Sequence, residues 1–215
     1  LFPAVLFFVL CSCRCLEGRL PIWVAAGFLG CIIPLHFSLG SFAPCLLVLA
    51  GLTSSRMGWR AWAGLVAAPV CALVVLTLIG FDLVSYMSRS KGVHFLPLLS
   101  GADTLHPYTL FSGMHFLNFA NQQILAAPAA VITLLVFSRK GSSRNQLTIF
   151  LTTAAAFPLL FTMTLNPEIG AFRDWDAMAV PALPLTIWAA HWICRQEGAT
   201  GRLHQVALML CGASL

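Results

Sequence analysis

Charge is what this sequence has least of. Asp, Glu, Lys and Arg make up 9% of its 215 residues, against 59% hydrophobic ones. A water-soluble domain carries about 25% charged residues, so the composition argues against a soluble globular fold. Recognisable soluble chemistry is missing as well: there is no H-E-x-x-H, P-loop, G-x-S-x-G or zinc-type Cys/His spacing. No internal repeat and no linker-like tract divides the chain, so residues 1–215 read as a single transmembrane domain. The net charge of +5 is no nucleic-acid signal. Its cations flank hydrophobic runs, where they anchor helices and meet membrane lipid headgroups.

Cysteine is present but not in a disulfide pattern. Cys31, Cys45, Cys71, Cys194 and Cys211 lie in or at the end of hydrophobic runs and read as small apolar packing residues. Cys11, Cys13 and Cys15 form a C-x-C-x-C run at a helix boundary. Metal ligation or palmitoylation is conceivable there, and unpaired packing cysteines are the plainer reading.

The hydrophobic residues gather into runs: Leu1–Cys13, Leu20–His36, Leu39–Thr53, Ala61–Tyr86, a short His94–Leu99, Gly113–Phe137, Leu147–Leu165 and Ala177–Cys194, with a tail from Val206 to Leu215. A spanning helix needs about 20 residues, so His94–Leu99 is an interfacial or re-entrant piece. The expected fold is all-α, a polytopic helix bundle of about seven to eight spans by that length rule, some incomplete at the chain ends. The two end runs are short, and the expectation is a fragment of a longer protein.

Charge then orients the bundle. Nine of the twelve Lys and Arg residues fall in alternate gaps: Arg14 and Arg19, Arg56 and Arg60, Arg139 with Lys140 and Arg144, and Arg195 with Arg202. Cationic loops stay cytoplasmic. The gaps around His36–Phe42, Ser88–His115 and Asn166–Asp176 should therefore face outward, and any chemistry is expected there.

The longest outward gap holds His94, Asp103, His106 and Tyr108. Long loops of this kind are often functional, and the bland alternative is a solvated cap over helix ends. From it the chain enters a helix through His115, Asn118 and Gln122, which at i, i+3 and i+7 share one face; Asn121 sits beside them. Amides facing lipid are costly, so this stripe faces either neighbouring helices as hydrogen-bonding glue or an outward ligand cleft. The second outward gap ends in Arg173-Asp174-Trp175-Asp176. Two carboxylates at this spacing can hold a divalent cation, or Arg173 can clamp a phosphate. The structural alternative is an Asp that caps the next helix. Asp82, near the outer end of its run, is either a functional acid or a hydrated residue at headgroup level.

The stretch TLNPEIGAFRDWDAMAVPALPL (Thr164–Leu185), together with LHPYTLFSGMHFLNFANQQILAAPA (Leu105–Ala129), resembles the C-terminal membrane half of bacterial GT-C-type polytopic glycosyltransferases. The resemblance covers Phe95–Ile193. It implies a multi-pass protein of the bacterial cytoplasmic membrane, with 88–115 and 166–176 facing outward. It further implies transfer of a sugar from a polyprenyl-phosphate carrier at the outer face. The catalytic candidates are Asp174, Asp176 and Asp103, and on the resemblance Asp174 or Asp176 would bind acceptor sugar or metal. Arg173 would bind the lipid phosphate, and His115, Asn118, Gln122, Trp175 and His106 would bind substrate. Family members place a catalytic acid in their first outward loop, whereas His36–Phe42 has none. Two other classes stay open: a non-catalytic subunit of a larger membrane complex, and a transporter, which would favour paired broken helices in two repeats.

Overall fold

The computed structural model describes residues 1–82, 84–85, 95–99, 109–137, 145–166 and 175–194, with side chains at 134–137 and 175–176 outside that description. The described chain is all-helical apart from one isolated antiparallel bridge, Phe95 to Leu165. Its helices are α1 (Phe2–Leu16), α2 (Ile22–Ile32), α3 (Ala43–Met57), α4 (Trp59–Ala63), α5 (Ala67–Leu78), α6 (Gly113–Ala126), α7 (Pro128–Phe137), α8 (Gln146–Thr164), α9 (Trp175–Met178) and α10 (Ala182–Cys194). Short 3-10 turns extend several of them. Three continuous helical stretches are long and apolar enough to cross a membrane: Phe37–Met57, Trp59–Leu78 and Gln146–Thr164.

Local chemistry explains where these helices differ from the hydrophobic runs. The run Ala61–Tyr86 stops being helical at Leu78, because Gly80 takes a φ of +67° that costs a residue without Cβ little. Its amide bonds to the Thr77 carbonyl while Phe81 reaches back to Leu76, a Schellman closure. Asp82 therefore lies beyond the helix. The run Gly113–Phe137 is two helices, not one. Proline disfavours helical geometry in the residue before it, and Ala127 accordingly sits at φ −145° and ψ 59°, between α6 and α7. Likewise Ala177–Cys194 divides into the four-residue α9, a turn at 179–181, and α10.

The main core joins α1, α2, α3 and α8 through Val5, Phe8, Leu29, Phe42, Leu49 and Phe150. Phe8 meets Phe42 edge-on at 5.6 Å between ring centroids, a favoured aromatic geometry. A second cluster is built of small residues: Ala127 and Ala130 from the α6–α7 break pack with Ala155, Ala182 and Ala189. Small side chains let helices approach closely where lipid offers no hydrophobic drive. The α2–α5 contact takes this furthest. A Cβ at Gly30 would overlap the Ala68 carbonyl and lie 2.9 Å from Ala68 Cα.

The bundle has two chemically different ends. At one, Arg56 of α3 donates to the Leu16 carbonyl at the end of α1 and to Gln146 Oε1 at 3.2 Å. Gln146 returns a hydrogen bond to the Leu52 carbonyl at 3.2 Å. Thr148 and His191 meet at 3.0 Å, which brings the last turn of α10 to the same end. At the other, residues 95–99, the end of α8 and the start of α6 converge.

Candidate functional site

The second end is organised by the last turn of α8. A helix leaves its final carbonyls without intrahelical donors, and three segments satisfy them here. Leu165 N–H donates to the Thr162 carbonyl at 3.2 Å, and Leu96 N–H to Thr164 at 3.0 Å. Between them, the His115 Nε2 lies 2.8 Å from the Met163 carbonyl. A carbonyl can only accept, so His115 holds its proton on Nε2 there. Phe161 adds apolar contact, with its ring centroid 5.7 Å from Phe37 and 6.1 Å from Phe95. Residues distant in sequence thus close over one helix end.

His115 is placed by its own helix start. Ser112 caps α6, its hydroxyl accepting from His115 N–H at 3.3 Å and donating to the Thr109 carbonyl at 2.9 Å. Leu110 N–H bonds to the Pro97 carbonyl at 2.9 Å, which ties the entry of α6 to the 95–99 segment. From His115 the stripe continues inward: Asn118 is half-buried and Gln122 buried, while Asn121 is exposed. The expected face is therefore the one that packs, with Asn121 outside it.

Gln123, one residue further on, was not among the stripe residues expected from sequence. It is buried, and its Nε2 donates to the Met178 carbonyl at 3.3 Å. Since that carbonyl only accepts, the amide nitrogen faces Met178 and Oε1 faces elsewhere. Periodicity from His115 puts Gln123 on the edge of the stripe, and that was the available signal. Its partner was not legible, being a backbone atom at the end of α9, 55 residues away. The Oε1 atoms of Gln122 and Gln123 are buried with no hydrogen-bond partner among the described residues. Such atoms are costly to leave unpaired. They can accept from hydroxyl or N–H groups, which is the chemistry a donor-rich ligand would meet.

Several expected residues lie outside the description. Asp103, His106, Arg173 and Asp174 are not among the described residues, and of Trp175 and Asp176 only the helical backbone of α9 is described. His94 and Tyr108 are outside it too. The Gln123–Met178 bond nonetheless ties α6 to the short helix that Trp175 and Asp176 open. Asp82 is exposed and turned to local use: it accepts from Ser85 N–H at 3.0 Å and from the Ser85 hydroxyl. Those two donors hold its carboxyl below the usual range. Hydrated capping is what its surroundings describe.

Among the described residues, no group of three or more His, Cys, Asp or Glu side chains stands close enough to hold a metal ion. The divalent-cation expectation rests on Asp174 and Asp176, whose side chains are outside the described set. Of the cysteine run, Cys11 and Cys15 are buried and Cys13 half-buried in α1, as packing residues would be. No protein-family model, curated protein or solved structure matches this chain.

Proposed function

We propose that this chain is the multi-pass membrane part of a glycosyltransferase, moving a sugar from a polyprenyl-phosphate carrier at the outer face of a bacterial cytoplasmic membrane. Three described helices, 37–57, 59–78 and 146–164, are long and apolar enough to cross a membrane, and shorter apolar helices lie at 2–16, 22–35 and 182–194. Together with the two helices of 113–137, they support a bundle of about seven spans, several of them shorter than a full bilayer crossing. Cationic segments are retained in the cytoplasm. Arg14, Arg19, Arg56 and Arg60 therefore mark the inner end, and the His115–Met163 end faces out.

The observation that carries the site assignment is the hydrogen bond from Gln123 to the Met178 carbonyl. It supports a polar stripe and an Arg-Asp-Trp-Asp element working in one place. In this reading Arg173 holds the carrier phosphate as a bidentate donor. Asp174 or Asp176, with Asp103 as the other candidate acid, deprotonates the acceptor hydroxyl for direct displacement. Trp175 and His106 contact sugar, and the His115, Asn118 and Gln122 face lines the donor side.

The test is turnover in native-like membranes supplied with polyprenyl-phosphate-linked sugars. Asp174→Asn and Asp176→Asn should each be membrane-inserted, and at least one should lower product formation by about 10²–10⁴-fold, the usual worth of a general base. Normal turnover by both variants removes the Arg-Asp-Trp-Asp element from the mechanism.

A second reading has its own observation. Little of the apolar stretch Trp59–Leu78 is buried, and Val66, Val70, Leu73, Val74 and Leu78 are all exposed. Lipid covers such a face, and so does a partner helix in a larger membrane complex. Co-purification of a stoichiometric membrane partner without turnover would favour a non-catalytic subunit.

A further inference from the structure

The chain reverses direction between two spanning-length helices within one residue, Gly58, whose φ is +56°. That reversal reads Arg56-Met57-Gly58-Trp59-Arg60-Ala61-Trp62. Arg56, Trp59, Arg60 and Trp62 are all exposed, while Ala61 between them is buried and holds the turn against the bundle. The neighbouring turn supplies more of the same chemistry. A Cβ at Gly18 would lie 3.2 Å from Arg56 Nη1, so the loop carrying Arg14 and Arg19 adjoins Arg56. A Cβ at Gly64 would lie 3.2 Å from the Trp23 backbone nitrogen, so exposed Trp23 flanks the same surface.

Among the described residues, four guanidinium groups thus share this end with one carboxylate, Glu17. That carboxylate is already engaged by Arg14 at 3.0 Å and Arg19 at 3.3 Å. Among the described residues Arg60 has no ion-pair partner. Trp23, Trp59 and Trp62 are 58%, 74% and 49% exposed, a costly display of aromatic surface unless amphipathic rings sit at headgroup depth. Arg presents a planar fork that fits phosphate oxygens, and each cation near an anionic membrane surface adds to attraction.

We infer that the surface formed by Arg19, Arg56 and Arg60 with Trp23, Trp59 and Trp62 is a binding site for the headgroup of an anionic phospholipid. The inference rests on the membrane reading above and is independent of glycosyl transfer. Arg60 and Arg19 supply the charge that recognises the phosphate. Arg56 fixes the floor through Leu16 and Gln146, and the tryptophans border the acyl-chain boundary.

The experiment is tryptophan quenching by brominated lipids, with the full chain reconstituted in phosphatidylcholine bilayers. Brominated phosphatidylglycerol is titrated against brominated phosphatidylcholine. The wild-type chain should prefer the anionic lipid by about fivefold or more, the effect of roughly one interfacial cation. Arg19→Gln with Arg60→Gln should abolish that preference, and Arg19→Lys with Arg60→Lys should retain most of it. Both pairs are exposed and leave the Arg56 contacts intact.

Equal quenching by the two lipids would overturn the headgroup site while leaving the membrane reading in place. Quenching by neither would instead sink the membrane reading itself. A preference undiminished by the Gln pair would also overturn the assignment. So would loss of the preference on adding millimolar inorganic phosphate, which would make free phosphate the ligand.

Discussion

The two ends of the bundle solve the same problem, closing helix termini, by opposite chemistry. At the Arg56 end the carbonyl of Leu16 and the side-chain amide of Gln146 are bridged by a charged, water-accessible side chain. At the His115 end the carbonyls of Thr162, Met163 and Thr164 are met by neutral donors, one of them a buried ring. The first end tolerates loss, because water can replace the missing donor. The second does not. Polar atoms are held out of water at one end, and cations are displayed at the other.

This contrast can be broken at three levels. The largest effect should come from the shared scaffold. Gly30→Val would drive a branched side chain into the Ala68 backbone, a contact that cannot relax by moving a side chain. Overpacking of this kind costs about 1–3 kcal/mol or more, and thermal unfolding in detergent should show both ends loosening together. Next is His115→Phe, which keeps a ring but removes the donor to Met163. A partly buried carbonyl left unpaired costs up to about 1–3 kcal/mol, readable as a lower unfolding midpoint and faster proteolysis near residues 95–99. The smallest effect is expected for Arg56→Lys, which keeps the charge and loses the two-acceptor bridge. At an exposed site that should cost less than about 1 kcal/mol. A larger loss for Arg56→Lys than for His115→Phe would reverse the account of which end is dry.

Much of the fold was legible because its signals are local. Alternating cations predicted which gaps share an end, and of the described residues the structure gathers Arg14, Arg19, Arg56 and the first turn of α8 at one end. Pro128 carried the signal for a break, and Gly80 for a stop; the hydrophobic runs alone hid both, since hydropathy does not register backbone geometry. The site was legible only in part. His115 and Gln122 were readable from helical spacing and are buried as that spacing implied. Gln123 escaped because its partner is a backbone carbonyl brought near by tertiary packing. The Met163 contact escaped for the same reason: helix-end carbonyls carry no residue-type signature. Asp82 was readable as an acid near a span, but its role in capping depends on Ser85 and on where the helix stops.

The central claim is that the two ends lie on opposite sides of a membrane, and cysteine labelling tests it most directly. In a cysteine-free background, Trp59→Cys and Leu99→Cys place single thiols at two of the most exposed described positions, 74% and 79%. An impermeant maleimide applied to intact cells should label Leu99→Cys and reach Trp59→Cys only after permeabilisation. Labelling of both from the same side would contradict the account.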